Sequence, residues 1–251
     1  MGVTPDPRRW FWSPEPRAYS RIGLVCLPGL GGDAAMFGSW PEALPPGVRL
    51  WGVRLPGHGS RMAEDPVDDP DVLVGQLADA VLSIPEPDIV LFGYSMGAVL
   101  AFELARALET AGGTPTALVV AGRGAPDADV PPVQVRNRSE LVAFLRRLGG
   151  VPAEVLEDDR LLDLVLPAIE ADLRLSEQYA FVEGELLSCP VLAVAGRADR
   201  LWPPDQVGDW ERHTSGPFAF QVVAGGHDFI HTNPKVLISV LSQFILEKAC
   251  G

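Results

Sequence analysis

Cysteine is scarce in this chain, and so is positive charge. The three cysteines, Cys26, Cys189 and Cys250, are odd in number and stand at unrelated spacings. Neither a disulfide framework nor a metal site is therefore expected, and a reducing, cytoplasmic setting fits best. Twenty basic side chains face 33 acidic ones, for a net charge of -13. That balance speaks against nucleic acid or an anionic membrane as the main partner. No apolar run approaches the roughly 20 residues that span a bilayer. Arg8-Arg9 resembles a twin-arginine signal only superficially, because Pro14, Glu15, Pro16 and Arg17 occupy the stretch where an apolar core belongs. An ordinary N-terminal arm is the expectation. Nucleotide signatures are missing too. The glycine-rich turn Pro28-Gly29-Leu30-Gly31-Gly32-Asp33 lacks the Gly-Lys-Ser/Thr ending of a phosphate loop and the Gly-x-Gly-x-x-Gly spacing of a dinucleotide site.

What the chain does have is Val90-Leu91-Phe92-Gly93-Tyr94-Ser95-Met96-Gly97-Ala98, an apolar run ending in Gly-x-Ser-x-Gly and passing straight into a helical pattern over 96–109. A strand that reverses sharply into a helix strains its turn residue, and glycines two positions either side give the backbone room. This is the pattern of a nucleophile elbow. It places the Ser95 hydroxyl at the carboxyl edge of a sheet and the unpaired amides of a helix start behind it.

The rest of the chain supplies the sheet. Residues 22–27 are wholly apolar, as suits a strand covered on both faces. Residues 50–55 read as a second strand and 70–84 as a helix, stopped by Pro85 and Pro87 before the elbow strand. A strand over 117–121 follows the elbow helix. This alternation predicts a mostly parallel, doubly wound α/β sheet in one domain over 1–251. Between 133 and 188 it breaks into helical pieces only: 139–148 with a capping serine, 153–156, and 159–175 interrupted by Pro167. A helical insertion at the sheet's carboxyl edge reads as a lid over Ser95, its apolar residues, Ala168 among them, lining an acyl tunnel. Strands resume at 190–196 and 218–223.

A serine hydroxyl is a poor nucleophile without a base, and the base needs a carboxylate to hold its tautomer. Asp199 and His227 each stand just past a strand end, in the order Ser95, Asp199, His227. Asp127, beyond the strand after the elbow helix, is the rival acid. Asp205 and Asp209 read as surface charges, with His213 on the same helix. His58 sits in a tight turn, where a histidine is usually structural, and His231 shapes the site at most. The backbone amides of Leu30 and Met96 would form the oxyanion hole.

These motifs resemble the type II thioesterases, free-standing editing enzymes that work beside polyketide and nonribosomal peptide synthases. The likeness runs through Cys26-Leu27-Pro28 with Gly31-Gly32, Leu55-Pro56-Gly57 with Arg61, Asp68-Asp69, and Gly93 to Ala98 with Phe102-Glu103-Leu104-Ala105. It is most specific in the insertion, at Leu148-Gly149-Gly150-Val151-Pro152 and Leu166-Pro167-Ala168-Ile169-Glu170-Ala171-Asp172. The family usually has histidine where this chain has Gly29 and Tyr94, and often an aromatic at Asp228.

The resemblance implies an α/β-hydrolase fold and a Ser-His-Asp hydrolase that needs neither metal nor organic cofactor. It would cleave acyl thioesters from the phosphopantetheine of an acyl or peptidyl carrier protein. An esterase or carbon-carbon hydrolase acting on a free small molecule shares the elbow, and a non-catalytic receptor shares the fold. A monomer is expected, with Arg136, Arg138, Arg146 and Arg147 as candidate carrier contacts.

Overall fold

A computed structural model describes residues 7–14, 19–130, 135 and 137–249. Glu15, Pro16, Arg17, Val133, Arg136 and Cys250, each invoked above, lie outside the described residues.

The expected strands all join one sheet. They are β2 (Ile22–Leu27), β3 (Val48–Val53), β4 (Asp88–Tyr94), β5 (Ala117–Ala121), β6 (Val191–Gly196) and β7 (Phe218–Val223). The N-terminal arm does more than expected. A single helical turn, α1 (Pro7–Trp10), leads into β1 (Phe11–Trp12), which pairs antiparallel with β3. Among the described residues the sheet is seven-stranded in the order β1-β3-β2-β4-β5-β6-β7, parallel apart from β1. This is the expected doubly wound topology, with one antiparallel edge.

Alternation along the buried strands divides the core in two. Leu24, Cys26, Val90, Phe92 and Val119 face one side, where they meet the C-terminal helix α9 (Pro234–Ala249) through Leu237 and Leu241. Val25, Leu27, Leu91, Leu118 and Val120 face the other, against α2 (Pro70–Val81) and α3 (Met96–Thr110). Burying both faces leaves no room for polar side chains, which is why these strands are continuous apolar runs.

The insertion forms α4 (Arg138–Leu148), α5 (Ala153–Glu157) and α6 (Asp159–Gln178), and it has its own small core of Leu141, Leu145, Leu156, Leu162 and Ile169. Leu30, from the glycine-rich loop after β2, belongs to that same cluster. The remaining described helices are α7 (Pro204–Gly208) and α8 (Phe229–Thr232), with single 3-10 turns at Ala34–Phe37, Gly59–Arg61 and Asp209–His213.

Local expectations needed correction in four places. Strand β3 lies two residues earlier than expected, because Leu55 already accepts from His58 N in a turn. Helix α2 ends at Val81, and its last turn tightens as Ser83 and Ile84 bond to Ala80 and Val81. Asn137, not Ser139, caps α4, its side chain accepting from Glu140 N. Pro167 does not interrupt α6. An interior proline costs an isolated helix about 3 kcal/mol, but here the next turns bury Ala168, Ile169, Ala171, Asp172 and Leu175, which holds the helix together.

Candidate active site

Ser95 has φ 52° and ψ -118°, the one non-glycine residue with positive φ among the described residues. Packing on both sides imposes this strain. A β-carbon at Gly93 would lie 2.2 Å from the Gly97 carbonyl oxygen, and one at Gly97 would lie 2.4 Å from that of Pro28. Helix α3 thus presses against its own strand and against the loop after β2, and only glycine fits. Ser95 N donates to Ala121 O at 2.8 Å, which ties the turn to β5.

The strained turn delivers the hydroxyl to His227, in the loop between β7 and α8. Ser95 Oγ lies 3.0 Å from Nε2, and Asp199 Oδ2 lies 2.9 Å from Nδ1. The other oxygen of Asp199 accepts from the backbone amides of Leu201 and Trp202 at 2.9 and 3.1 Å. The carboxylate is thereby fixed before it meets the imidazole. All three side chains are buried. The rival, Asp127, is committed elsewhere: it accepts from His213 Nε2 at 2.9 Å and lies 3.5 Å from Arg212. Its burial would raise its carboxyl pKa, but His213 and Arg212 hold it below the usual range.

Leu30 and Met96, the expected oxyanion donors, flank the serine. Met96 opens α3, a β-carbon at Gly29 would sit 3.3 Å from Ser95 Cβ, and both residues line a cavity of about 40 Å³ with Ser95. The two departures from the family pattern explain each other. That same β-carbon would lie 3.0 Å from the Tyr94 ring, so the larger ring at 94 takes space that a side chain at 29 would need. The Tyr94 hydroxyl donates to the His227 carbonyl. Burial, with help from Asp199 and Asp228, pushes its pKa far up, so it remains a neutral donor bracing the histidine loop.

Two larger cavities flank this centre. One of about 810 Å³ is lined by Asp199, His227, Asp228, Arg147 and Arg200; the other, of about 630 Å³, lies between the insertion and the His58 turn. Ala168 and His231 line the second of these, which Ser95 does not reach. The wall around Ser95 is instead built by Phe144, Leu148, Leu173, Leu201 and Trp202.

His58 has a role that its turn did not announce. Its Nδ1 faces the Pro56 carbonyl and its Nε2 faces Asp172 Oδ2, each at 3.0 Å. Both partners are acceptors, a setting that favours a proton on each ring nitrogen. Burial would lower its pKa, but the Asp172 charge and hydrogen bond, the Pro56 carbonyl and Asp33 together raise it. Asp172 Oδ2 also accepts from Gly31 N at 2.7 Å, so α6 is pinned to the loop carrying Leu30. Asp172 closes a family motif in the sequence, but its role as an anchor is not read there, although a carboxylate among Ala168, Ile169 and Leu175 on one apolar stripe is a signal.

A raised folded-state pKa stabilises the protein fully below the unfolded value near 6.5, and that contribution is lost as pH rises through the folded value. His58→Asn is therefore expected to cost ~3 kcal/mol at pH 6, as for one broken buried pair. Denaturant titrations of both proteins from pH 6 to 9 should show the gap narrowing with pH. A gap independent of pH would mean that His58 is not charged.

Comparison with known proteins bears on this geometry. The family profile described as Thioesterase domain matches residues 23–245. Thioesterase PikA5 of Streptomyces venezuelae is 37% identical over 250 residues, spanning 96% of this chain and 87% of its own. The type II thioesterase BorB from the borrelidin biosynthetic cluster superposes with a TM-score of 0.85 at 35% identity, covering 97% of this chain and 100% of its own. RedJ, the thioesterase from the prodiginine biosynthetic pathway in Streptomyces coelicolor, gives 0.83 at 32% identity, with 96% and 93% covered. Fold, family profile and whole-length relatives agree: this chain belongs to the thioesterase family, among the type II thioesterases of polyketide and nonribosomal peptide pathways.

Proposed function

We propose that this thioesterase hydrolyses acyl groups stalled on the phosphopantetheine arm of acyl or peptidyl carrier proteins, with Ser95, His227 and Asp199 as its triad. The observation that carries the reading is the buried chain of hydrogen bonds from Ser95 Oγ through His227 to Asp199. His227 takes the hydroxyl proton as Ser95 attacks the thioester carbonyl, and Asp199 stabilises the imidazolium that results. The amides of Leu30 and Met96 hold the tetrahedral oxyanion, helped by the positive end of α3. The pantetheine thiol leaves with the proton from His227. Water, deprotonated by the same histidine, then releases the acid and regenerates the serine.

Residues 138–178 act in this reading as a lid within a single domain, set over Ser95 by the Asp172 anchor. Among the described residues no helix is long and apolar enough to cross a membrane. Cys26 and Cys189 are buried free thiols, which fits a reducing cytoplasm.

The lid arginines divide. Arg138 is engaged by Asp159 and Asp163, and Arg146 lies 3.4 Å from Glu157. Arg147 leans over Phe144 and, with Arg146 and Arg200, borders the 810 Å³ cavity that reaches His227. This opening suits the entry of an anionic arm, although the protein's net charge is negative. Bulk repulsion is screened beyond roughly 8 Å at physiological salt, so local charge decides docking.

The deciding experiment compares one acyl group on a carrier protein, on pantetheine and as an oxyester. Carrier substrate should be preferred, and oxyester preference would indicate a free-standing esterase. Arg147→Glu should raise KM for the acyl carrier several-fold and leave pantetheine thioesters unchanged. Equal effects on both would remove Arg147 from docking.

A further inference from the structure

Arg123 stands out as a buried cation with an unmet donor among the described residues. It follows Gly122 at the end of β5, only 5% of its surface is exposed, and its Nε has no hydrogen-bond partner among the described residues. The guanidinium forms no salt bridge with a carboxylate among the described residues; it lies over the Trp202 ring, 4.5 Å from the centroid. Its backbone is fixed, since Arg123 O accepts from Trp210 Nε1 at 2.9 Å and Gly122 N donates to Val194 O at 2.9 Å. Burial lowers its pKa to about 10, partly offset by Tyr179, so it remains charged at neutral pH.

Position gives this group a use. Arg123 lines the small cavity that also holds Ser95, Leu30 and Met96, where α6 contributes Leu173, Ser176 and the acidic Glu177. On its far side it borders a second small void with Glu103, whose carboxylate already accepts from Arg106 and the Tyr179 hydroxyl. Proteins rarely leave a buried guanidinium donor unmet unless an acceptor is delivered. Stacking on Trp202 satisfies the face of the group but not its in-plane Nε donor.

We propose that Arg123 is an acyl-recognition residue, donating to an oxygen acceptor carried on the acyl chain beyond the thioester carbonyl, either a 3-oxo or a carboxylate oxygen. The proposal rests on Ser95 receiving the acyl group. It makes the cavity beside the serine a polar-ended pocket for short oxygenated chains. At about 40 Å³ that cavity does not admit a long acyl chain.

The test compares butyryl-, 3-oxobutyryl- and malonyl-pantetheine with wild type and Arg123→Met, which keeps an unbranched chain over Trp202. The substitution should lower kcat/KM for at least one oxygenated acyl group by about 10- to 100-fold, the scale of a lost hydrogen bond to a charged group. Butyryl should change less than about threefold on the same reasoning. Loss on malonyl alone identifies a carboxylate as the partner, and loss on 3-oxobutyryl alone a ketone. Parallel loss on all three would overturn the proposal in favour of a purely structural arginine. A second measurement needs no variant: calorimetric binding of S-butyl-, S-(3-oxobutyl)- and S-(2-carboxyethyl)pantetheine to the wild-type protein. At least one oxygenated thioether should bind about tenfold tighter than S-butyl, and three equal affinities would overturn the proposal. Wild-type protein that releases none of the three acyl groups defeats the thioesterase reading separately, while the thioether affinities still judge Arg123.

Discussion

Replacing Ser95 by alanine should lower kcat by ~10³-fold or more while leaving the protein folded, because attack and acyl transfer both run through one hydroxyl. The geometry makes this a clean test. The hydroxyl contacts His227 at 3.0 Å, and the backbone of the turn is held by Ser95 N to Ala121 O and by the close approaches at Gly93 and Gly97. The contacts that hold the backbone of the turn do not involve the Ser95 hydroxyl. Single-turnover assays with an acyl-pantetheine substrate should show neither a burst nor an acyl-enzyme by mass spectrometry. Activity within tenfold of wild type would remove Ser95 as the nucleophile. Backbone strain offers an internal control. Ser95→Gly should be as inactive as Ser95→Ala yet more stable by ~1–3 kcal/mol, since glycine pays nothing at φ 52°. Equal stability of the two variants would mean that the turn is not strained.

How much of this was legible in the sequence follows from how local each feature is. The elbow could be read because five adjacent residues specify it, and the central strands because burial on both faces leaves an unbroken apolar run. Strand β1 could not, since two residues have no periodicity, and its register comes from pairing with β3. Pro167 misled for the opposite reason: its local preference is strong, but burial of the following turns outweighs it. Ala168 was read as a tunnel residue from its place in the insertion alone. The 630 Å³ cavity that Ala168 lines does not include Ser95, which only the folded packing shows. Asp172 with His58, and Arg123 with Trp202, join segments far apart in the chain. No spacing rule reaches across such separations. They matter because a buried charge must be satisfied by something, and the partner is visible only in three dimensions.

Distance along the chain also left two acids in competition, and their substitution should separate them sharply. Asp199→Asn preserves size and shape but turns an obligate acceptor into a group that can donate to His227 Nδ1. The imidazole would then present a proton on Nε2, where Ser95 needs an acceptor, and kcat should fall by ~10⁴-fold. Hydrogen bonds from Leu201 and Trp202 to Oδ1 hold the side chain in place, so the substituted amide has little freedom to avoid the wrong tautomer. Asp127→Asn meets a different environment. Its partners, His213 and Arg212, belong to the segment after α7, and His213 itself packs against Phe102 and Trp210 rather than toward Ser95. Losing that charge should cost stability, by about 1 kcal/mol for a partly exposed pair, with kcat changed less than threefold. Rates measured across pH 6 to 9 distinguish a tautomer fault from unfolding, because the first lowers kcat at every pH without moving the thermal midpoint. If Asp127→Asn proved the more damaging to kcat at unchanged stability, the acid would belong to β5, and the contact between Asp199 and His227 would have to be structural.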